Sequence, residues 1–257
     1  LRRDAHLLDY LDGLARASSV RRVWELHCAV MADFGFDRLI YGYTRFGKPG
    51  ALGDFEDAVF LNNHDPEYFN RFIGERMFLK APILRWARDH IGACSWGEIW
   101  RDAESLSEAE RRVIAFNRAM NVSAGYSISF PAPSPRSFAL ISLSARRGLS
   151  QDDVDATWAN HGREIEAMNN MAHLKILSLP NTTRRGRLTR RQREVLEWVG
   201  DGKSNQDIAV ILGVSVPTVE KHLRLAREKL GVDTTAQAIL KAAFLNQIHI
   251  GEYALAR

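Results

Sequence analysis

The sequence predicts an α/β N-terminal domain, in which an antiparallel sheet is sandwiched by helices, followed by an all-α C-terminal domain of four short helices. Three observations carry that division. Before residue 178, four segments have the β-branched and aromatic composition of strands and six others suit helices, whereas after residue 187 only helical spacing recurs. The stretch SLPNTTRRGR at 178–187 has no apolar periodicity and combines Pro, Asn, Thr, Gly and three Arg, as a linker does. Charge also divides there: residues 1–177 carry net −1 and residues 178–257 net +5. A chain of 257 residues is long enough for two domains that each bury a core without staples, expected at 1–177 and 188–257.

Taken in order, helices are expected at 7–14 and 20–34, and strands at 38–45 and 58–61. Two helices then open on prolines, at 66–77 and 82–90, because proline fits the first helical position. Ser107 with Glu110 is a capping box, followed by Val113, Phe116 and Met120 on one face. Strands at 125–130 and 138–144 are joined by PAPSPR, whose prolines forbid helix. Ser150 with Asp153 starts a long helix over 150–177, where Val154, Trp158, Ile165, Met168 and Leu174 recur at helical spacing. Strand pairs separated by helices favour an antiparallel layer able to hold a small-molecule pocket.

The composition, 46% hydrophobic and 26% charged, excludes wholesale disorder. The longest apolar runs, 138–143 and 242–245, fall far short of the ~20 residues that cross a bilayer, so no membrane association is expected. The first thirty residues lack the apolar run of a secretory signal. Cys28 and Cys94 stand 66 positions apart, which fits inert thiols in a reducing compartment and neither a disulfide framework nor a metal site. A cytoplasmic location without metal or cofactor is expected. GxSxG, GxGxxG, Walker, HExxH and CxxC motifs are missing, and no nucleophile accompanies the nearby His64, Asp65 and Glu67, so the chain does not read as an enzyme.

In the last third, Thr189 with Gln192 caps a helix whose apolar face is Val195, Leu196 and Val199, and Asp201-Gly202-Lys203 stops it. Ser204 opens the next, with Ile208, Ala209 and Leu212 inward. After the turn Leu212-Gly213-Val214-Ser215, a third helix buries Val219, His222, Leu223, Ala226 and Leu230, and a fourth is expected at 235–246. Ala209, Gly213 and Val219 have helix-turn-helix spacing: a small residue at the crossing, a glycine for the turn, an apolar anchor for the second helix. That places Thr218, Lys221 and Arg224 on an exposed face suited to the major groove. Ser204, Ser215 and the helix N-terminal amides are candidates for phosphate, and Arg184, Arg185 and Arg187 for non-specific contacts. For any one of these cations, the alternative is a solvated surface charge.

Residues 188–232 resemble the DNA-binding domain of the LuxR-type transcription factors, matching at Glu194, Leu196, Gly202, Lys203, Ile208, Ala209, Thr218, Val219, His222, Lys229 and Leu230. One departure is Glu220, at a position often basic in that family; a carboxylate there accepts from a cytosine amino group or repels phosphate, so no operator sequence carries over. The resemblance implies a homodimer on a palindromic operator with half-sites about one DNA turn apart. Helices 150–177 and 235–246 are the expected dimer surfaces, being more apolar than one buried face requires.

A phosphorylated receiver would open on a strand, and this chain opens on helices. Residues 1–177 instead resemble the family's acyl-homoserine-lactone-binding domain, in which a lactone lies between a five-stranded sheet and helices. Aligned on Pro82, Trp96 and Gly125, the family's pocket Trp becomes Tyr68, a Tyr four later becomes Phe72, an Asp nine further on becomes Ala81, and an earlier Tyr becomes His64. Ser142 matches a hydroxyl residue aimed at the acyl carbonyl. The family Asp accepts the ligand's amide proton; a methyl does not, and a buried unpaired amide costs about 1–3 kcal/mol. The resemblance therefore implies a quorum-sensing regulator whose small-molecule effector is not an ordinary lactone and relies on Tyr68, Ser142 and Trp96. The alternative is a ligand-independent regulator controlled by a partner protein, its pocket filled by Phe72 and Met77. The aromatic residues also read as ordinary core.

Overall fold

The structure, a computed structural model, describes residues 2–47, 55–101, 103–132, 134–180, 185 and 187–249. Half of the expected linker, including Arg184, and the tail after His249 lie outside the described residues. The chain forms two compact units, Leu1–Ile176 and Leu177–Arg257.

The first unit opens with helices α1 (Arg2–Arg16) and α2 (Val20–Asp33), then strands β1 (Phe36–Thr44) and β2 (Val59–Asn62). Helices α3 (Pro66–Phe69) and α4 (Pro82–Asp89), strand β3 (Gly92–Ser95), helices α5 (Trp96–Arg101) and α6 (Glu108–Ala119), strands β4 (Gly125–Ser129) and β5 (Phe138–Ala145), and helix α7 (Gln151–Ser178) follow. The five strands form one antiparallel sheet in the order β2-β1-β5-β4-β3. Two expectations need correction. The edge strand β3, GACS, carries no β-branched residue and was not legible as a strand. The helix expected over 66–77 is instead one turn of α3, a π-type turn over Asn70–Gly74, and a 3-10 turn over Met77–Lys80. It breaks at Arg76, whose backbone is left-handed at φ 62°.

Register divides the sheet into two faces. Ile40, Ser142, Ser127 and Cys94 stand side by side on one face, and Tyr41, Leu143 and Tyr126 on the other. The second face packs against α7, where Tyr126 stacks on Trp158 at 3.9 Å and His173 on Phe130 at 4.2 Å. Buried polar pairs fix the register of α7. Asn169 Nδ2 donates to the Ile165 carbonyl, so its Oδ1 faces His27 and accepts the Nε2 proton at 3.0 Å. His27 Nδ1 then accepts from the Tyr10 hydroxyl at 2.8 Å, and the Tyr41 hydroxyl lies 2.8 Å from His173 Nδ1.

Burial keeps these imidazoles neutral. The pKa falls to about 4 at His27 and His173 and to about 3 at His64, where Arg38 adds to the desolvation. Each folded value lies below the ordinary 6.5, so as pH falls the unfolded chain takes up protons that the folded unit refuses. Stability is therefore complete above the ordinary value and is lost downward from it. We expect the urea midpoint of the full chain, followed by tryptophan fluorescence, to fall between pH 7 and 5, with stability dropping by at least about 1 kcal/mol per pH unit below pH 6. A flat profile would contradict burial of neutral histidines.

The second unit holds α8 (Arg190–Gly200), α9 (Asn205–Leu212), α10 (Val216–Leu230) and α11 (Thr235–Phe244). Thr189 and Ser204 cap their helices as expected, and Ser215 and Thr234 cap the other two through their side chains. Gly213 closes α9 at φ 64°, a turn that favours glycine and lets α10 cross α9. Val195, Leu196, Ile208, Val219, Ala226 and Ala238 are fully buried between the four helices.

Candidate functional site

Two adjoining cavities lie on the sheet face opposite α7. One has a volume of about 210 Å³ and the other about 50 Å³, and Ile40, Phe72, Ala81, Ile83 and Ser142 belong to both walls. The larger is an aromatic chamber in which the Phe55, Phe60 and Phe78 rings meet pairwise at 5.2–5.7 Å, with Phe72 and Phe138 alongside. Arg76 lines it, held by its left-handed turn with its guanidinium 5.3 Å from the Phe55 ring centre. Among the described lining residues Arg76 is the one Arg or Lys, and none is Asp or Glu.

The smaller cavity gathers most of the residues anticipated from the sequence: His64, Tyr68, Phe72, Ala81, Pro82, Trp96 and Ser142 line it. Gly125 is placed behind Trp96, where a β-carbon would lie 3.0 Å from the ring. The indole N–H of Trp96 donates to Ser127 Oγ at 2.9 Å, and Ser127 Oγ is 2.8 Å from Ser142 Oγ. An indole only donates, so the Ser127 oxygen receives that proton, while either serine can be the donor in the Ser127–Ser142 bond. Ser142 Oγ ends this chain in the wall shared by both cavities, and a hydroxyl there can donate or accept. Ser144 Oγ lies 3.4 Å from His64 Nε2, and the His64 ring stacks on Tyr68 at 4.6 Å.

Two expectations change. Tyr68 was expected to offer its hydroxyl to an effector, but it donates to Asn117 Oδ1 at 3.0 Å, drawn to α6 by the stacking of its ring on Phe116 at 5.6 Å. Phe72 stands in both cavity walls, whereas Met77 lines neither. Ser127, Ser144, Asn117 and Arg76 were missed. The alternation of Ser127 with Ser129 and of Ser142 with Ser144 is a strand-period signal that points both serine pairs to one face. Arg76 carries no such signal.

Ala81 is the N-cap residue of α4 and makes no side-chain cap, while Pro82 fills the first helical position. A methyl group thus stands between the two cavities at a helix N-terminus.

In the second unit, Glu220, Lys221 and Arg224 are exposed on α10 beside an open groove that Asn205, Arg227 and Thr235 also line. Arg224 is paired with Glu228 at 2.6 Å on the surface. Thr218 sits half-buried in the first turn. The two serines are engaged in caps: Ser204 Oγ accepts from Asp207 N and donates to Asp207 Oδ2, and Ser215 Oγ accepts from Thr218 N. Their hydroxyls thus fix helix starts.

Comparison with known proteins finds a family match for each unit. Residues 19–176 match the family described as autoinducer binding domain, and residues 187–242 match bacterial regulatory proteins of the luxR family. The quorum sensing-dependent transcriptional regulator RpaR of Rhodopseudomonas palustris is 26% identical over 245 residues, covering 95% of each chain. The transcriptional activator BjaR1 of Bradyrhizobium diazoefficiens is 26% identical, covering 91% of this chain and 93% of its own. The fold is similar to the crystal structure of Escherichia coli SdiA, with a TM-score of 0.51, 16% identity, and coverage of 95% of this chain and 98% of that one.

Proposed function

The chain belongs to the luxR-family transcriptional regulators that carry an autoinducer binding domain, and from that we propose that a small molecule other than an ordinary acyl-homoserine lactone controls its DNA binding. The observation that carries this reading is Ala81. No carboxylate lines either cavity among the described residues, and the polar group in the wall they share is the Ser142 hydroxyl. Such a wall suits a head group that bonds to a hydroxyl and does not depend on a carboxylate to take an amide N–H. The aromatic chamber takes an apolar tail, and Arg76 offers a donor at its far wall. DNA is read by Lys221 and Arg224 from a homodimer on a palindromic operator. Exposed Met171 and Leu174 on α7, and Leu240 and Phe244 on α11, support pairing of two copies.

A second reading has its own support. The rings of His64, Phe72 and Phe116 each stack with Tyr68, and the cavity beside this stacked cluster holds only about 50 Å³. A regulator filled by its own side chains and controlled by a partner protein fits that stack.

Native mass spectrometry of protein purified from cells grown with and without added lactones separates the two. A retained small mass supports the effector; none in either preparation supports the partner. In calorimetry, N-decanoyl homoserine lactone is expected to show no submicromolar binding, and such binding would overturn the reading of Ala81. Ala81→Asp is expected to gain lactone binding. At an N-cap the new carboxylate meets backbone donors, worth about 0.5–2 kcal/mol, which offsets its burial, so the variant is expected to fold. A folded variant without gain would favour partner control.

A further inference from the structure

The first turn of α7 holds the back of the smaller cavity through one side chain. The Gln151 amide closes a cyclic pair with the Gly125 peptide: its Oε1 accepts from Gly125 N at 3.0 Å and its Nε2 donates to Gly125 O at 3.2 Å. The same Nε2 lies 3.0 Å from Ser95 Oγ and 2.9 Å from Asp155 Oδ1, and Ser95 donates to Asp155 at 2.8 Å. Two turns of α7 thus share acceptors and donors with two strands.

Those strand positions carry the cavity wall. The Trp96 ring rests on Gly125, and Trp96 follows Ser95 directly. Tyr126, next to Gly125, stacks on Trp158 of α7 with the planes 3° apart. A group pressing on Trp96 therefore displaces the peptide that Gln151 grips. The helix so gripped continues for 28 residues to Ser178, past the end of the first unit at Ile176.

We propose that Gln151, with Asp155, is the positioning residue that couples the state of the Trp96 wall to the first turns of α7. The proposal rests on the effector reading only for what presses on Trp96; the coupling belongs to wall and helix. A merely structural glutamine would leave the two regions energetically additive, and a coupling residue makes them non-additive.

The test is a double-mutant cycle on the full chain, read by hydrogen exchange and using no ligand. Ser127→Ala removes the oxygen that holds the Trp96 indole, and it lies on the cavity face of the sheet. With Gln151 present, it is expected to speed exchange of amides 155–162 about tenfold, leaving 168–176 unchanged. In a Gln151→Ala background the same change is expected to add less than about twofold. Equal acceleration in both backgrounds, none with Gln151 present, or uniform acceleration along the helix would each overturn the coupling. Should Gln151→Ala fail to fold, Gln151→Glu keeps the acceptor for Gly125 N, loses the Nε2 donors, and is judged by the same outcomes. The mass measurement decides the effector separately, so either conclusion can fail alone.

Discussion

Gly125→Ala is expected to destabilise the first unit by about 3 kcal/mol or more, lowering the thermal midpoint of the full chain by roughly 10 °C. A β-carbon at this position would lie 2.2 Å from the Leu143 carbonyl oxygen and 3.0 Å from the Trp96 ring. Neither neighbour has room to yield. The carbonyl belongs to the paired strand β5, and the indole is tethered through Ser127 at 2.9 Å. Relief requires opening the β4–β5 ladder or expelling Trp96, and either change also dismantles the cavity wall. Gly74→Ala is the matched control: nothing lies within 4 Å of its β-carbon position, and its change is expected to stay within about 1 kcal/mol. Equal effects of the two substitutions on the unfolding midpoint would remove the steric account of Gly125.

Lys221→Ala combined with Arg224→Ala is expected to weaken DNA binding by a hundredfold or more, since each such contact is worth about 1–3 kcal/mol. The probe is a fluorescent duplex selected from a random pool by the unmodified chain, titrated at several salt concentrations. Arg224 must leave Glu228 to reach DNA, a small cost because both side chains are about half exposed. Folding is expected to be unchanged, because both substituted side chains are exposed on α10. If the two cations touch phosphates, the salt dependence flattens by roughly two counterions; if they touch bases, discrimination between duplexes is lost instead. Undiminished affinity at physiological salt would remove α10 from the groove.

The second unit was legible because its determinants are local. Capping serines and threonines, the Gly213 turn and the apolar faces of α8, α9 and α10 act within a few residues of one another, so composition and spacing specify them directly. In the first unit the prolines, the alternating strands and the Ser150–Asp153 helix start were equally local. Where local preference was weak, in GACS or across the Gly74-Glu75-Arg76 turn, pairing and packing overrode it.

The sequence by itself therefore determined the two-domain order, the helix-turn-helix, the methyl group at position 81 and the set of aromatic residues available to a pocket. Tertiary structure alone decided what those residues do. Trp96, Ser127 and Ser142 become one hydrogen-bonded chain across separations of 31 and 15 residues, and Tyr68 turns its hydroxyl to Asn117, 49 residues away. Gln151 reaches the Gly125 peptide only because α7 packs back across the sheet. A hydrogen bond has its direction and partner set by atoms brought within about 3 Å, and no periodicity in the chain encodes which distant atoms those are.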